Sequence, residues 1–306
     1  MTPRELRLAT LARQLLLERV ELTAVEALER LSGLQAQDST GPYLGLWARL
    51  DGFERGELTA AVESREVVVA TLQRVTMHMV SAADHAWLKP TLAPVHEQTR
   101  RRPVIRDLDQ ERLLAEARRR APVRMRDLHD LAPGVNTGHL NDFFQASLPF
   151  VRVPPAGTWG VSGSPVQELA EVGEPDVDRL VRSYLGAFGP ATVADAQAWS
   201  GLKGLRAVFE RLELEELGDG LYDLPGAPHP PGTTRPPVRF LPRYDNLFLG
   251  YADRSRFGAP PIGVPTVLVD GLPAARWEWR DGDVHVTPDL GAGVEEERRR
   301  LVRFLT

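Results

Sequence analysis

The 306-residue sequence contains no cysteine. That absence excludes disulfides, cysteine-ligated zinc, iron–sulfur clusters and thiol nucleophiles, so any chemistry falls to oxygen and nitrogen groups. Long apolar runs are also missing: nothing approaches the roughly eighteen consecutive apolar residues of a membrane span. The start, Met1-Thr2-Pro3-Arg4-Glu5, does not show the basic-then-apolar order of a secretory signal. A cytoplasmic protein without a membrane partner is the expectation. Lysine is scarce, since only Lys89 and Lys203 stand among 37 basic residues. A preference for arginine suits bidentate phosphate recognition, and compositional bias of a genome produces the same pattern.

What is present describes a large globular chain. An apolar fraction of 42% fills a sizeable core, and the length calls for two or more packed units. The formal net charge of -5 argues mildly against a nucleic-acid partner. Its distribution matters more. Arg100 to Arg126 holds ten arginines against four acids, whereas Glu168 to Asp178 and Glu210 to Asp223 are acid-rich.

Three stretches repeat one order of elements. In the first, a helix with Leu8, Leu11, Ala12 and Leu15 on one face precedes a second that starts at the capping box Thr23-Ala24-Val25-Glu26. A third is expected from Ser39 to Arg49, with Pro42 in its first turn, and a short one near Leu58. The β-branched run Val67 to Leu72 and the run Met77 to Val80 then read as a hairpin. The second stretch has helices at Glu111 to Arg119, Val123 to Leu131 and Thr137 to Leu148, then strands at Val151 to Val153 and Trp159 to Val161. The third starts at the capping box Thr192-Val193-Ala194-Asp195 and ends in a hairpin around Asp219-Gly220.

Residues His229 to Pro237 form a Pro/Gly/Thr-rich linker or loop. Short apolar runs follow at Val238–Leu241, Asn246–Leu249, Ile262–Val269, Ala274–Trp279 and Val284–Thr287, with a closing helix over Val294 to Phe304. The expected fold is α+β: three tandem winged-helix units, 1–103, 104–172 and 173–228, and a small β-barrel with a terminal helix, 229–306. Three internal units replace the usual dimer of a winged-helix protein, so a monomer is expected.

Within this layout, Leu31-Ser32-Gly33-Leu34-Gln35-Ala36-Gln37-Asp38 followed by Pro42-Tyr43-Leu44-Gly45-Leu46-Trp47-Ala48-Arg49-Leu50 resembles the winged-helix DNA-binding family of AlkZ-like DNA glycosylases. Arg74-Val75-Thr76-Met77-His78-Met79-Val80 resembles that family's Arg-Gly-Thr-Leu-His-Leu-Val stretch, with Val75 in place of glycine. Leu241-Pro242-Arg243-Tyr244-Asp245-Asn246 and Ala252-Asp253-Arg254-Ser255-Arg256 resemble its C-terminal barrel motif. The resemblance implies units curved around a DNA channel. It also implies hydrolysis of N-glycosidic bonds of alkylated purines in double-stranded DNA, including interstrand crosslinks, with Gln35 and Gln37 as the catalytic pair and no cofactor or metal.

Two glutamines suit that chemistry. A purine alkylated at N7 or N3 is already cationic and departs without a general acid, leaving an oxocarbenium-like sugar and a water to aim at it. Glutamine carbonyls can orient the water and stabilise the developing charge. The i, i+2 spacing demands extended backbone, because on a helix the two side chains diverge by about 200°. The helix must therefore end near Gly33 or Leu34, before Asp38 or Ser39 caps the next one. No lysine stands near the motif in sequence, so Schiff-base strand cleavage is not expected.

Other polar residues carry two readings each. Arg74 lies in the motif stretch, and His78 either faces DNA or is a hydrogen-bonded structural histidine. His139 and Asn141 fall early in a helix placed to read DNA, Arg124 and Arg126 suit phosphates, and Arg254 and Arg256 could reach toward the lesion. Asp38, Asp245 and Asp253 read as caps or loop acceptors, and Tyr43 and Trp47 as core packing rather than a stacking wall for a flipped base. The competing function is a non-enzymatic winged-helix DNA-binding protein or transcriptional regulator.

Overall fold

In a computed structural model that describes residues 1–306, three threonines start helices by the same device. Thr2, Thr23 and Thr192 each accept the backbone N–H three residues ahead, while the acid there, Glu5, Glu26 or Asp195, reaches back to the threonine's own N–H. Thr2 opens α1 (Pro3–Arg13). The second threonine opens the first of three repeats with one element order, helix, strand, helix or 3-10 segment, helix, and hairpin.

Repeat one comprises α2 (Ala24–Arg30), β1 (Leu34–Gln35), α3 (Gly41–Trp47), α4 (Arg55–Glu63), β2 (Val67–Thr71) and β3 (Met77–Ser81). Three helices that sequence patterning did not single out follow: α5 (Ala82–Thr91), α6 (Ala93–Arg100) and α7 (Pro103–Arg106). Repeat two comprises α8 (Gln110–Arg120), β4 (Val123–Arg124), a 3-10 segment over Met125–Leu131, α9 (Thr137–Ser147), β5 (Phe150–Arg152) and β6 (Val166–Leu169). Repeat three comprises α10 (Val177–Phe188), β7 (Ala191–Thr192), α11 (Val193–Ser200), α12 (Arg206–Arg211), β8 (Glu215–Glu216) and β9 (Leu221–Asp223).

In each repeat the third strand lies between the first and second. Repeat three forms its own sheet in the order β7-β9-β8, whereas repeats one and two share a six-stranded sheet, β1-β3-β2-β5-β6-β4. The two halves join through one register pair, Ala70 with Val151. The hairpin turn of repeat one, Gln73–Val75, is not a free tip: Gly201 lies against it, and Arg74 donates to the carbonyl of Trp199.

The C-terminal part departs from the expected barrel. β10 (Arg239–Leu241), β11 (Thr266–Val269), β12 (Leu272–Arg280) and β13 (Asp283–Thr287) form an open antiparallel meander in that order, and β10 does not pair with β13. α13 (Glu295–Leu305) packs against both edge strands. Three local expectations also change. Asn246–Phe248 is a 3-10 turn rather than a strand, because Asp245 accepts the N–H of Leu247 and closes the backbone there. Trp159 lies in a turn between Gly157 and Gly160, both at positive φ, and the return strand starts only at Val166. Val123 and Arg124 pair with Gln167 and Val166, which starts repeat two's second element as a strand instead of a helix.

Two apolar cores result. One of 57 buried residues runs through repeat one, repeat three and the C-terminal sheet, and a separate one of 13, centred on Leu140, Phe143 and Phe144, lies inside repeat two. Two fully buried bidentate ion pairs brace the larger body. Arg13 of α1 grips Asp223 of β9, and Arg49, just past α3, grips Asp245 after β10. No helix is long and apolar enough to cross a membrane.

Candidate functional site

α2 stops at Arg30, and Gly33 turns the chain with φ +80°. A Cβ at Gly33 would stand 2.5 Å from Cγ1 of Val80, so both the conformation and the contact require glycine. The backbone is then extended. Leu34 and Gln35 pair with Met79 and His78, and the N–H of Ala36 continues the ladder to the carbonyl of Met77 at 2.8 Å. Ala36 is buried in the core, so pleating sends Gln35 to the opposite side, and Gln37 does not line the Gln35 crevice. Gln37 is exposed, one residue beyond the ladder. Asp38 then accepts the N–H groups of Thr40 and Gly41 at 3.0 and 2.7 Å and starts α3, which runs Gly41–Trp47 rather than from Ser39 to Arg49. No helix continues through the Gln-x-Gln segment.

Gln35 is half-buried in a crevice with Gly41, Arg243, Tyr244 and Asn246. Its carbonyl oxygen, Oε1, is buried and has no hydrogen-bond partner in the protein. The strand that holds it is clamped from the C-terminal part. Asn246 Nδ2 donates to the carbonyl of Gly33, and its Oδ1 accepts the N–H of Gln35 at 3.4 Å. The neighbouring Asp245 is held by the buried Arg49 guanidinium, with contacts of 2.9 and 2.7 Å. The motif residues Arg49, Asp245 and Asn246 thus form one scaffold around Gln35. Sequence reading took Asp245 as a loop acceptor and assigned Asn246 no role, and only its place in the Leu241–Asn246 motif hinted at it.

His78 sits opposite Gln35 and is nearly fully buried. Its Nδ1 donates to the carbonyl of Thr76 at 2.9 Å, which fixes the tautomer and leaves Nε2 unprotonated. Burial, helped by the positive charge of Arg74, lowers its pKa to about 3, so the ring is neutral at physiological pH. Arg74 and Val75 both have positive φ, 54° and 58°. Val75 therefore holds a left-handed conformation at the position where the resembled family has glycine, a strained choice for a β-branched residue.

The remaining sequence candidates lie apart from this crevice. Arg124 and Arg126 are exposed on repeat two. His139 is engaged by Arg102 at 3.1 Å and Asn141 by His129 at 2.9 Å, so both are committed to bonds within the chain. Their helix, α9, is packed against α6 and α7. Arg254 donates to the carbonyl of Pro260, and Arg256 donates to that of Pro190 at 2.8 Å while stacking on Tyr251. Tyr43 and Trp47 are core residues. No group of three or more histidine, aspartate or glutamate side chains converges as a metal site.

The crevice opens past Gly41, Pro242 and Arg243 into a cavity of about 640 Å³, walled by Trp159, Trp277, Trp279 and Leu305 and by Arg243 and Arg276. Its size lies in the range of sites that take a small organic group.

A family model described as DNA glycosylase AlkZ-like matches residues 28–304. Among solved structures, the chain is similar to Streptomyces sahachiroi DNA glycosylase AlkZ, with a TM-score of 0.75 and 19% identity over 99% of this chain and 96% of that one. No curated protein sequence matches.

Proposed function

The chain belongs to the AlkZ-like DNA glycosylase family, and from that premise we propose that it hydrolyses the N-glycosidic bond of cationic N7- or N3-alkylated purines in double-stranded DNA with a water positioned by Gln35 and Gln37. The observation that carries this reading is the unpartnered, buried carbonyl oxygen of Gln35. A buried acceptor without a donor is disfavoured by about 1–3 kcal/mol, so such groups persist where a ligand or water completes them. The crevice beside it has about 10 Å³ of free space, the scale of one water molecule.

A cationic base leaves without protonation, so no general acid is needed, and a neutral His78 fits that chemistry. Gln35 contributes a carbonyl dipole for the sugar as it becomes cationic, on a backbone held by the Asn246 clamp before substrate arrives. Neither lysine lines the crevice or the cavity, and Lys89 is committed to the carbonyls of Thr71 and Gln145. This supports a reading of hydrolysis without strand cleavage. The threefold element order with its 1-3-2 strand arrangement supports reading 1–103, 104–172 and 173–228 as winged-helix units that, with 229–306, embrace duplex DNA.

The test is incubation with duplex DNA containing 7-methylguanine, then heating in alkali to turn abasic sites into breaks. Breaks well above spontaneous loss are expected only after the alkaline step. A background level of breaks would overturn the reading and leave a DNA-binding protein.

A further inference from the structure

Most arginines of this chain are paired with neighbours, including all of those in the basic stretch Arg100 to Arg126 except Arg118 and Arg124. Eleven arginines make neither an ion pair nor a side-chain hydrogen bond within the chain, and four of them lie along one path that starts at Gln35. Arg243 and Arg276 rim the cavity beside Gln35, and both are exposed. Arg55 lies over the rings of Trp159 and Phe304, at 4.9 and 5.4 Å, on the partition between that cavity and a second depression. Arg303 is exposed in the second depression, beside Arg300, whose nearest carboxylates are 3.9 Å away.

The acids along the path are partly engaged. Asp38 caps α3 and Glu278 pairs with Arg280, while Glu54 faces the outer end of the second depression. What sets these four guanidinium groups apart from the other unpaired arginines is their alignment, which concentrates positive charge on one path of a chain of net charge -5. Each presents a planar fork that matches a phosphodiester. A row of them starting at the Gln35 crevice has the chemistry of a track for one nucleic-acid backbone.

We propose that Arg243, Arg276, Arg55 and Arg303 form a phosphate rail that holds the DNA strand leading away from the lesion and sets its register against Gln35. The inference rests on the glycosylase reading only in taking duplex DNA as the ligand. These are positioning residues; none touches the reacting bond. The rail lies on the C-terminal sheet, its terminal helix and α4, rather than on repeat two's arginines or on α9.

The test measures binding of undamaged duplex DNA, which does not depend on excision. Each phosphate contact contributes about 0.9 to the slope of log affinity against log salt. A variant carrying Arg55→Gln, Arg243→Gln, Arg276→Gln and Arg303→Gln should flatten that slope by about three to four. A control of equal charge, Arg30→Gln, Arg118→Gln, Arg182→Gln and Arg235→Gln, should leave it near the parent value. In excision, the rail variant should raise KM for DNA. Arg55→Lys, which keeps the charge, should keep the slope and separates phosphate contact from loss of stacking.

An unchanged slope in a rail variant with a parental melting profile would overturn the proposal while leaving the glycosylase reading intact. Equal flattening in the control would do the same, because it would assign the effect to total charge. Saturable binding of inorganic phosphate at constant ionic strength, lost in the rail variant, would make the groups a small-anion site and overturn the rail.

Discussion

Gln35 and His78 face each other across the β1–β3 ladder, so their side chains share one face of the sheet, where directly opposed Cβ atoms lie about 5 Å apart. One supplies an unpartnered carbonyl oxygen, and the other a ring kept neutral by burial. Gln35→Ala is expected to lower single-turnover excision of 7-methylguanine by about 100- to 1000-fold, the usual loss of one fixed dipole, with parental DNA affinity. Gln37→Ala should fall in the same direction. Parental rates in both variants would move the chemistry elsewhere.

The neutral histidine makes a kinetic prediction. With a pKa of about 3, His78 does not titrate between pH 5 and 8, and glutamines do not titrate at all. The single-turnover rate should therefore be flat across that window in a pH-jump format. An acid limb with a midpoint near the ordinary histidine value of about 6.5 would contradict the assignment.

The clamp predicts a split between stability and activity. Asn246→Ala removes two hydrogen bonds to the Gly33–Gln35 backbone and should cost about 1–3 kcal/mol in chemical denaturation. Excision should fall by more than unfolding explains when measured well below the transition. Asp245→Ala leaves Arg49 charged and buried, and should cost about 3–5 kcal/mol.

Stability should fall steeply on mild acidification. His78, His85 and His96 are buried, with folded pKa values of about 3, 4 and 3, whereas the unfolded chain protonates them near 6.5. Below pH 6.5 the unfolded state therefore takes up protons that the folded state refuses. Each histidine removes up to about 1.4 kcal/mol of stability per pH unit until its folded pKa is reached. Lys89, lowered to about 7 by burial, acts in the same direction between pH 10.5 and 7. Melting temperature should rise from pH 5 to above neutrality, and His85→Gln should flatten the acid side. A maximum at pH 5 would refute this account.

Repeat two should open before the rest. Its 13-residue core is separate, and its sheet joins the larger body by one register pair. Native-state hydrogen exchange should show α8 and α9 exchanging at lower free energy than β2, β3 and α10. Equal protection throughout would contradict it.

Local signals explain what was legible in the sequence. The capping boxes at Thr23 and Thr192, the β-branched run at Val67 and the Asp219-Gly220 turn act within a few residues, and each appears where patterning put it. The extended Gln-x-Gln segment was legible for the same reason, since Gly33 and Asp38 bracket it. What failed was non-local. Val123 and Arg124 form a strand because β6 lies beside them, and Trp159 leaves the ladder to pack on Tyr43 and Phe304. α5 to α7 carry prolines at 90, 94 and 103 and buried histidines, which break the apolar stripe that marks a surface helix. Asn246 contacts Gln35 across 211 residues, a distance at which no spacing rule operates.

The unsatisfied oxygen of Gln35 also sets selection for durability against selection for repair. Replacing it with methionine, similar in length and without a comparable acceptor to bury, should make the protein melt higher and excise as poorly as Gln35→Ala. A screen for thermal tolerance alone would drift toward that impaired form, so a glutamine retained at position 35 through such a screen would report that excision was being selected as well.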